Sequence, residues 1–216
     1  RVLIIGSGYS ANAETASVEQ RVMVPGANLL MGVCWHPSGQ YALCTINRTN
    51  NLVPMTRLMQ GWTITNGLAV IWRDGRVDQV LLDEPNLCFP DPTDVAITLN
   101  GKLAFVTSSG TNRVAVIDLD RLTSMLREGT EYERTKVFPN HLGMPTEFII
   151  KHIATEASPR GVVMTPDGKS AVVANCLDDS LTVIDLASLE PVRRIDLGGP
   201  TEITKTRYGE LLFHNA

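Results

Sequence analysis

No CxxC pair and no CxxCH stand anywhere in the 216 residues, so this stretch encodes neither a zinc ribbon nor a site for covalently attached c-type haem. No apolar run approaches the roughly 20 residues that a membrane-spanning helix needs. No basic block is present, and the net charge of −4 is spread over both signs, which excludes a nucleic-acid partner by the usual electrostatic footprint. No signal peptide precedes Arg1, so the chain reads as a processed or excised piece of something longer, wherever that protein resides. No nucleophile, base and orienting group fall into a recognisable set. His36, His141 and His152 lie apart in sequence with no metal-ligand spacing, so no catalytic residue and no metal ligand is assigned.

What is there is a globular composition, 44% hydrophobic and 19% charged. The four cysteines are Cys34, Cys44, Cys88 and Cys176. Cys34 and Cys44 flank one expected hairpin, and the register of that hairpin decides between buried free thiols and a disulfide.

A turn glycine serves as a ruler for an internal repeat. Gly101 and Gly168 each precede a lysine and follow a proline by nine residues (Pro92, Pro159); Val95 and Val162 stand six residues before them. Asp118 and Asp185 stand seventeen after, inside VAVIDL and LTVIDL. Gly39 marks a third copy, with Val33 six before it, and Gly209 a partial fourth, with Pro200 nine before it. Each copy reads as strands. GVVMT is short and β-branched, PDGK is a turn with proline fixing φ and glycine accepting a positive φ, and SAVVAN and LTVIDL return. VRRIDL, VDQVLL, FIIKHI and QRVMVP supply fourth strands. Four antiparallel strands per unit, repeated radially, predict an all-β protein of β-propeller architecture.

The expected organisation is a partial arc of about three full blades plus incomplete end blades. Residues 1–27 form a partial blade, 28–83 a blade with an insertion at 48–65, 92–153 a blade with an insertion at 119–147, and 159–199 a third blade, within a propeller region 1–199. In the second insertion Leu122, Met125 and Leu126 have helical spacing and Gly129 can end the helix, which predicts a short surface helix. Residues 200–216 read two ways: as the inner hairpin of a further blade turning at Gly209, or as a helical junction.

VLIIGSGYSA at 2–11 imitates a dinucleotide fingerprint through Gly6, Gly8 and Ala11. Only about ten polar residues separate it from the next strand, and no acid closes that strand, so a Rossmann unit is not expected.

FVTSS, VVANC and VIDL after PDGK-type turns resemble the YVTN family of β-propellers. TRYGELLFHNA at 206–216 is similar to the junction of bacterial proteins in which such a propeller runs into a dihaem, cytochrome c peroxidase-like domain, and PMTRLMQGWTITNGLAVI at 54–71 resembles the first-blade insertion of that group. The resemblance implies a periplasmic or extracellular oxidoreductase parent with c-type haem downstream of Ala216. It implies a cytochrome c-type domain, or a redox partner, as the neighbour. This chain stops before any haem motif, so no haem ligand is carried over, and His214 reads as a surface histidine.

In a propeller the start of each innermost strand lines the central channel, which places Asp94, Arg160 and Glu202 toward one channel mouth. They read either as a polar site for a small anion or cation, or as structure, with Arg160 tying inner strands together. Met55, Leu58, Met59 and Trp62 share one helical face, opened by Pro54, and read as a partner-docking stripe or as a helix folded back on its own domain. The functional expectation is a non-catalytic propeller scaffold or binding module of an extracytoplasmic haem-containing redox protein. The alternative is a channel-mouth enzyme of the lactonase-like or quinohaem dehydrogenase kind.

Overall fold

The turn glycines set the frame. Gly39, Gly101 and Gly168 have φ of 67°, 72° and 66°. Each donates its N–H to the carbonyl three residues back, on His36, Thr98 and Thr165. The residue before each glycine completes the turn: Ser38 Oγ, Asn100 Oδ1 and Asp167 Oδ1 accept from the backbone N–H two residues on, at Gln40, Lys102 and Lys169.

The computed structural model describes residues 2–6, 17–49, 63–200 and 202–214. It contains three four-stranded antiparallel sheets in chain order. The first is β3 (Ala27–Trp35), β4 (Tyr41–Thr49), β5 (Ile64–Trp72) and β6 (Val77–Leu81). The second is β7 (Pro92–Ile97), β8 (Leu103–Ser108), β9 (Arg113–Asp118) and β10 (Ile149–Ala154). The third is β11 (Pro159–Met164), β12 (Ser170–Asn175), β13 (Ser180–Asp185) and β14 (Glu190–Asp196). Ahead of them β1 (Val2–Gly6) pairs antiparallel with β2 (Ser17–Val22). This is an antiparallel pair and not the start of a parallel βαβ unit; Gly8 and Ala11 of the apparent fingerprint lie outside the described residues.

Period-two alternation sends neighbouring residues of one strand into different cores. Leu43 and Cys44 are adjacent, yet Leu43 packs with blade two and Cys44 with Val22 and Val24. In the second blade Val95 and Ile97 face the first blade while Ala96 faces the third. Three cores thus lie between four stacked sheets, and the innermost strand β7 touches both β3 and β11. The register also decides the cysteine question. Cys34 pairs with Leu43 and Cys44 with Val33, so the two side chains leave opposite faces of the sheet, and all four cysteines are free thiols.

The second insertion holds helix α1 (Leu119–Glu128), a π-helical turn at Glu133–Val137 and a 3-10 turn at Met144–Glu147. Asp118 caps α1 by accepting from Arg121 N–H at 3.0 Å. Gly129 ends it, donating to Met125 O. Leu119, Leu122 and Leu126 are buried in the core between blades one and two, so this helix extends that core. The first insertion is shorter than residues 48–65, because β4 runs through Thr49 and β5 begins at Ile64.

Residues Lys205–His214 form helix α2, and no hairpin turns at Gly209. The physical reason lies one residue earlier. Where Ser38, Asn100 and Asp167 cap their turns, the fourth position is Tyr208, whose side chain cannot fold back onto the backbone in that way. Instead Thr204 Oγ1 accepts from Arg207 N–H at 3.1 Å and starts the helix. Arg207 then anchors it to the β12–β13 loop through Cys176 O at 2.7 Å and Asp179 Oδ2 at 3.0 Å.

Candidate functional site

The inner strands meet at their starts, where each carries a bulge: between Leu30 and Val33 in β3, Pro92 and Val95 in β7, and Pro159 and Gly161 in β11. A bulge leaves a backbone N–H without a ladder partner. In the first two blades a threonine on the adjacent strand accepts it: Gly32 N–H to Thr45 Oγ1 at 2.9 Å, and Asp94 N–H to Thr107 Oγ1 at 3.0 Å. The equivalent residue of the third blade is Ala174, which has no hydroxyl.

Asp94 uses both carboxylate oxygens on the backbone. Oδ1 accepts from its own chain neighbour, Val95 N–H, at 2.8 Å, and Oδ2 accepts from Val162 N–H on β11 at 3.0 Å. Thr93 Oγ1 adds a second link to β11 by donating to Pro159 O at 3.1 Å. The tie between blades two and three therefore comes from Asp94 and Thr93. Arg160 is exposed, and its Nε reaches only Ser158 Oγ, at 3.4 Å. Glu202 is also exposed. It stands away from the other two, lining a cavity of about 250 Å³ beside α2 with Arg194, Arg207, Asp178, Asp179 and Asp196. Among the described residues no hydrogen bond or ion pair joins Asp94, Arg160 and Glu202 to one another.

Two networks at the strand ends carry no short-range sequence signal. Asp83 is buried between blades one and two and accepts from Asn66 N–H (2.7 Å), Asn66 Nδ2 (3.0 Å) and Phe89 N–H (2.7 Å), while Asn47 Nδ2 donates to Asn66 Oδ1 at 2.7 Å. Burial pushes the Asp83 carboxyl above its ordinary value, partly opposed by these donors. Beside α2, Arg194 pairs with Asp178 at 2.7 Å and Arg207 with Asp179. Only a spatial neighbour supplies the partner in each case, so one chain read alone does not disclose them.

Met55, Leu58, Met59 and Trp62 lie outside the described residues. His152 Nε2 donates to Glu84 Oε1 at 2.6 Å, His36 Nε2 meets Gly101 O at 2.9 Å, and His214 packs edge-on against Phe213. No helix is long and apolar enough to cross a membrane among the described residues.

Four-stranded antiparallel blades, stacked face to face about touching inner strands, define the chain as a β-propeller. It is similar to hydrazine synthase subunit beta of Kuenenia stuttgartiensis, 28% identical over 172 residues, which are 79% of this chain and 44% of that protein. The solved structure of hydrazine synthase from the same organism matches with a TM-score of 0.74 at 26% identity, covering 79% of this chain and 49% of that one. The periplasmic gluconolactonase of Pseudomonas aeruginosa shares the fold, with a TM-score of 0.51 at 14% identity over 82% of this chain and 45% of that one. The chain thus spans about half the length of the proteins it matches. No protein-family model matches it.

Proposed function

We propose that this chain is a non-catalytic β-propeller module that scaffolds or docks the electron-transfer part of an extracytoplasmic, haem-containing redox protein. The observation that carries the reading is the likeness, over four-fifths of the chain, to a subunit of a multi-subunit synthase, hydrazine synthase subunit beta. The strand-start geometry supports it: Asp94, expected at the channel mouth, accepts from two backbone N–H groups, one of them on β11, and so links two inner strands. The YVTN-like repeats and the junction-like TRYGELLFHNA favour a parent whose c-type haem domain follows Ala216, in the periplasm or outside the cell. Helix α2, anchored to the third blade through Arg207, is the element that would hand the chain on to that domain or face a cytochrome partner. The test is to purify from its own cells the polypeptide that carries this segment and extract it with acidified acetone. Haem that survives extraction on the polypeptide, or on a subunit that stays bound through purification, is expected. Haem on neither would overturn the reading.

A further inference from the structure

The Asp83 carboxylate sets the direction of a short amide relay. An ionised carboxylate only accepts, so Asn66 turns Nδ2 toward it, at 3.0 Å. Asn66 Oδ1 then faces β4 and accepts from Asn47 Nδ2 at 2.7 Å. The last acceptor of the relay, Asn47 Oδ1, has no hydrogen-bond partner. Both amides are more than nine-tenths buried, Asn47 at 8% exposure and Asn66 at 5%. A buried acceptor left unpaired is costly, and it marks a place that a donor can fill.

Strand register builds a cavity around these amides. Leu29, Asn47 and Asn66 are cross-strand partners on β3, β4 and β5, and Thr49 and Ile64 pair two residues further along. Directly paired residues, and residues two apart on one strand, share a face of the sheet. All five line a cavity of about 560 Å³, with Asp91 from the linker to blade two on its other side. That volume suits a small molecule. The cavity lies between two blades that each have all four strands.

The lining has two characters. Leu29 and Ile64 are apolar and about half exposed. Asn47 Oδ1 and the Asp91 carboxylate are acceptors, and so is Thr49 Oγ1, which gives its hydrogen to Asn28 Oδ1 at 2.9 Å and keeps its lone pairs. No described lysine, arginine or histidine lines the cavity. We propose that it binds a small primary ammonium ion with a short apolar body. The ammonium donates to Asn47 Oδ1, its charge faces Asp91, and its hydrocarbon lies on Leu29 and Ile64.

The test is isothermal titration calorimetry with n-butylammonium chloride at neutral pH, on the intact polypeptide that carries this segment. Trimethylbutylammonium keeps the charge without an N–H, and 1-butanol keeps a donor without the charge. One saturable butylammonium site is expected, with both comparison compounds at least about tenfold weaker. Asn47→Leu is expected to weaken butylammonium binding at least about tenfold, and Asp91→Asn several-fold. Asp91 is exposed with φ of 51°, a conformation that asparagine tolerates, so Asp91→Asn decides the matter should Asn47→Leu fail to fold. A wild-type polypeptide with no saturable site overturns the proposal, as does a folded variant that binds butylammonium like wild type. Comparison compounds that bind as tightly as butylammonium also overturn it, because no charged donor is then recognised.

Discussion

The Cα of Asp94 lies 2.5 Å from where a Cβ on Gly32 would have to sit. The two residues hold equivalent places in adjoining blades, seven before their turn glycines, and the backbone of β7 passes directly over β3 there. Glycine is required by the close approach. Gly32→Ala forces the inner strands apart and is expected to cost about 3 kcal/mol, or roughly 6–12 °C in melting temperature for a chain of this size. A melting curve superimposable on wild type would contradict this packing.

Asp94→Ala strands the N–H groups of Val95 and Val162. The expected loss is about 1–3 kcal/mol, with Asp94→Asn costing less because one amide oxygen can still reach Val162. Denaturant melts of the two variants measure the difference. Equal losses would mean that the link to β11 is not what the side chain contributes.

Asp83 gives a pH signature. Burial raises its carboxyl pKa above the unfolded value, so the folded state binds the proton more tightly than the unfolded state does. Its contribution to stability is therefore greatest below the unfolded pKa of about 3.9 and declines as pH rises through that value to the folded one. Asp83→Asn removes this decline. Compared with wild type, its stability plotted against pH is expected to slope less steeply downward across the mildly acidic range. Parallel curves would sink the assignment.

Thiol chemistry separates the cysteines. Cys44 is buried, and burial pushes its pKa up to about 11, whereas Cys88 and Cys176 are exposed. Maleimide at neutral pH is expected to modify Cys88 and Cys176 in the folded protein and to reach Cys44 only after unfolding. All four thiols should titrate in denaturant without a reductant, since none is paired. Two missing thiols would indicate a disulfide and contradict the β3–β4 register.

The blades were legible because one glycine ruler fixed strand and turn together. The spacing alone marks Val95 and Val162 as equivalent, and the structure puts both on inner strands, facing the preceding blade. Asp94 could be placed at a strand start, but its function as a tie could not be read. Its partner, Val162, is 68 residues away, and the bulge that aims the carboxylate depends on pairing between strands. Placing Glu202 beside Asp94 requires residues 200–216 to continue the repeat. Helix α2 breaks that premise, and the cavity beside it gathers Glu202 with Arg194 and Arg207. The cue was present in Tyr208, where every true turn has Ser, Asn or Asp before its glycine.

Redox turnover of the intact assembly carrying Arg160→Ala together with Glu202→Gln tests the scaffold reading most directly. Both side chains are exposed, Arg160 at a strand start and Glu202 in the cavity beside α2, and neither makes a tie between blades. Turnover within about twofold of wild type is the expected result. A loss of roughly a hundredfold or more, the scale of a removed acid or base, with folding and assembly intact, would show that chemistry takes place on the propeller itself and would contradict a non-catalytic role.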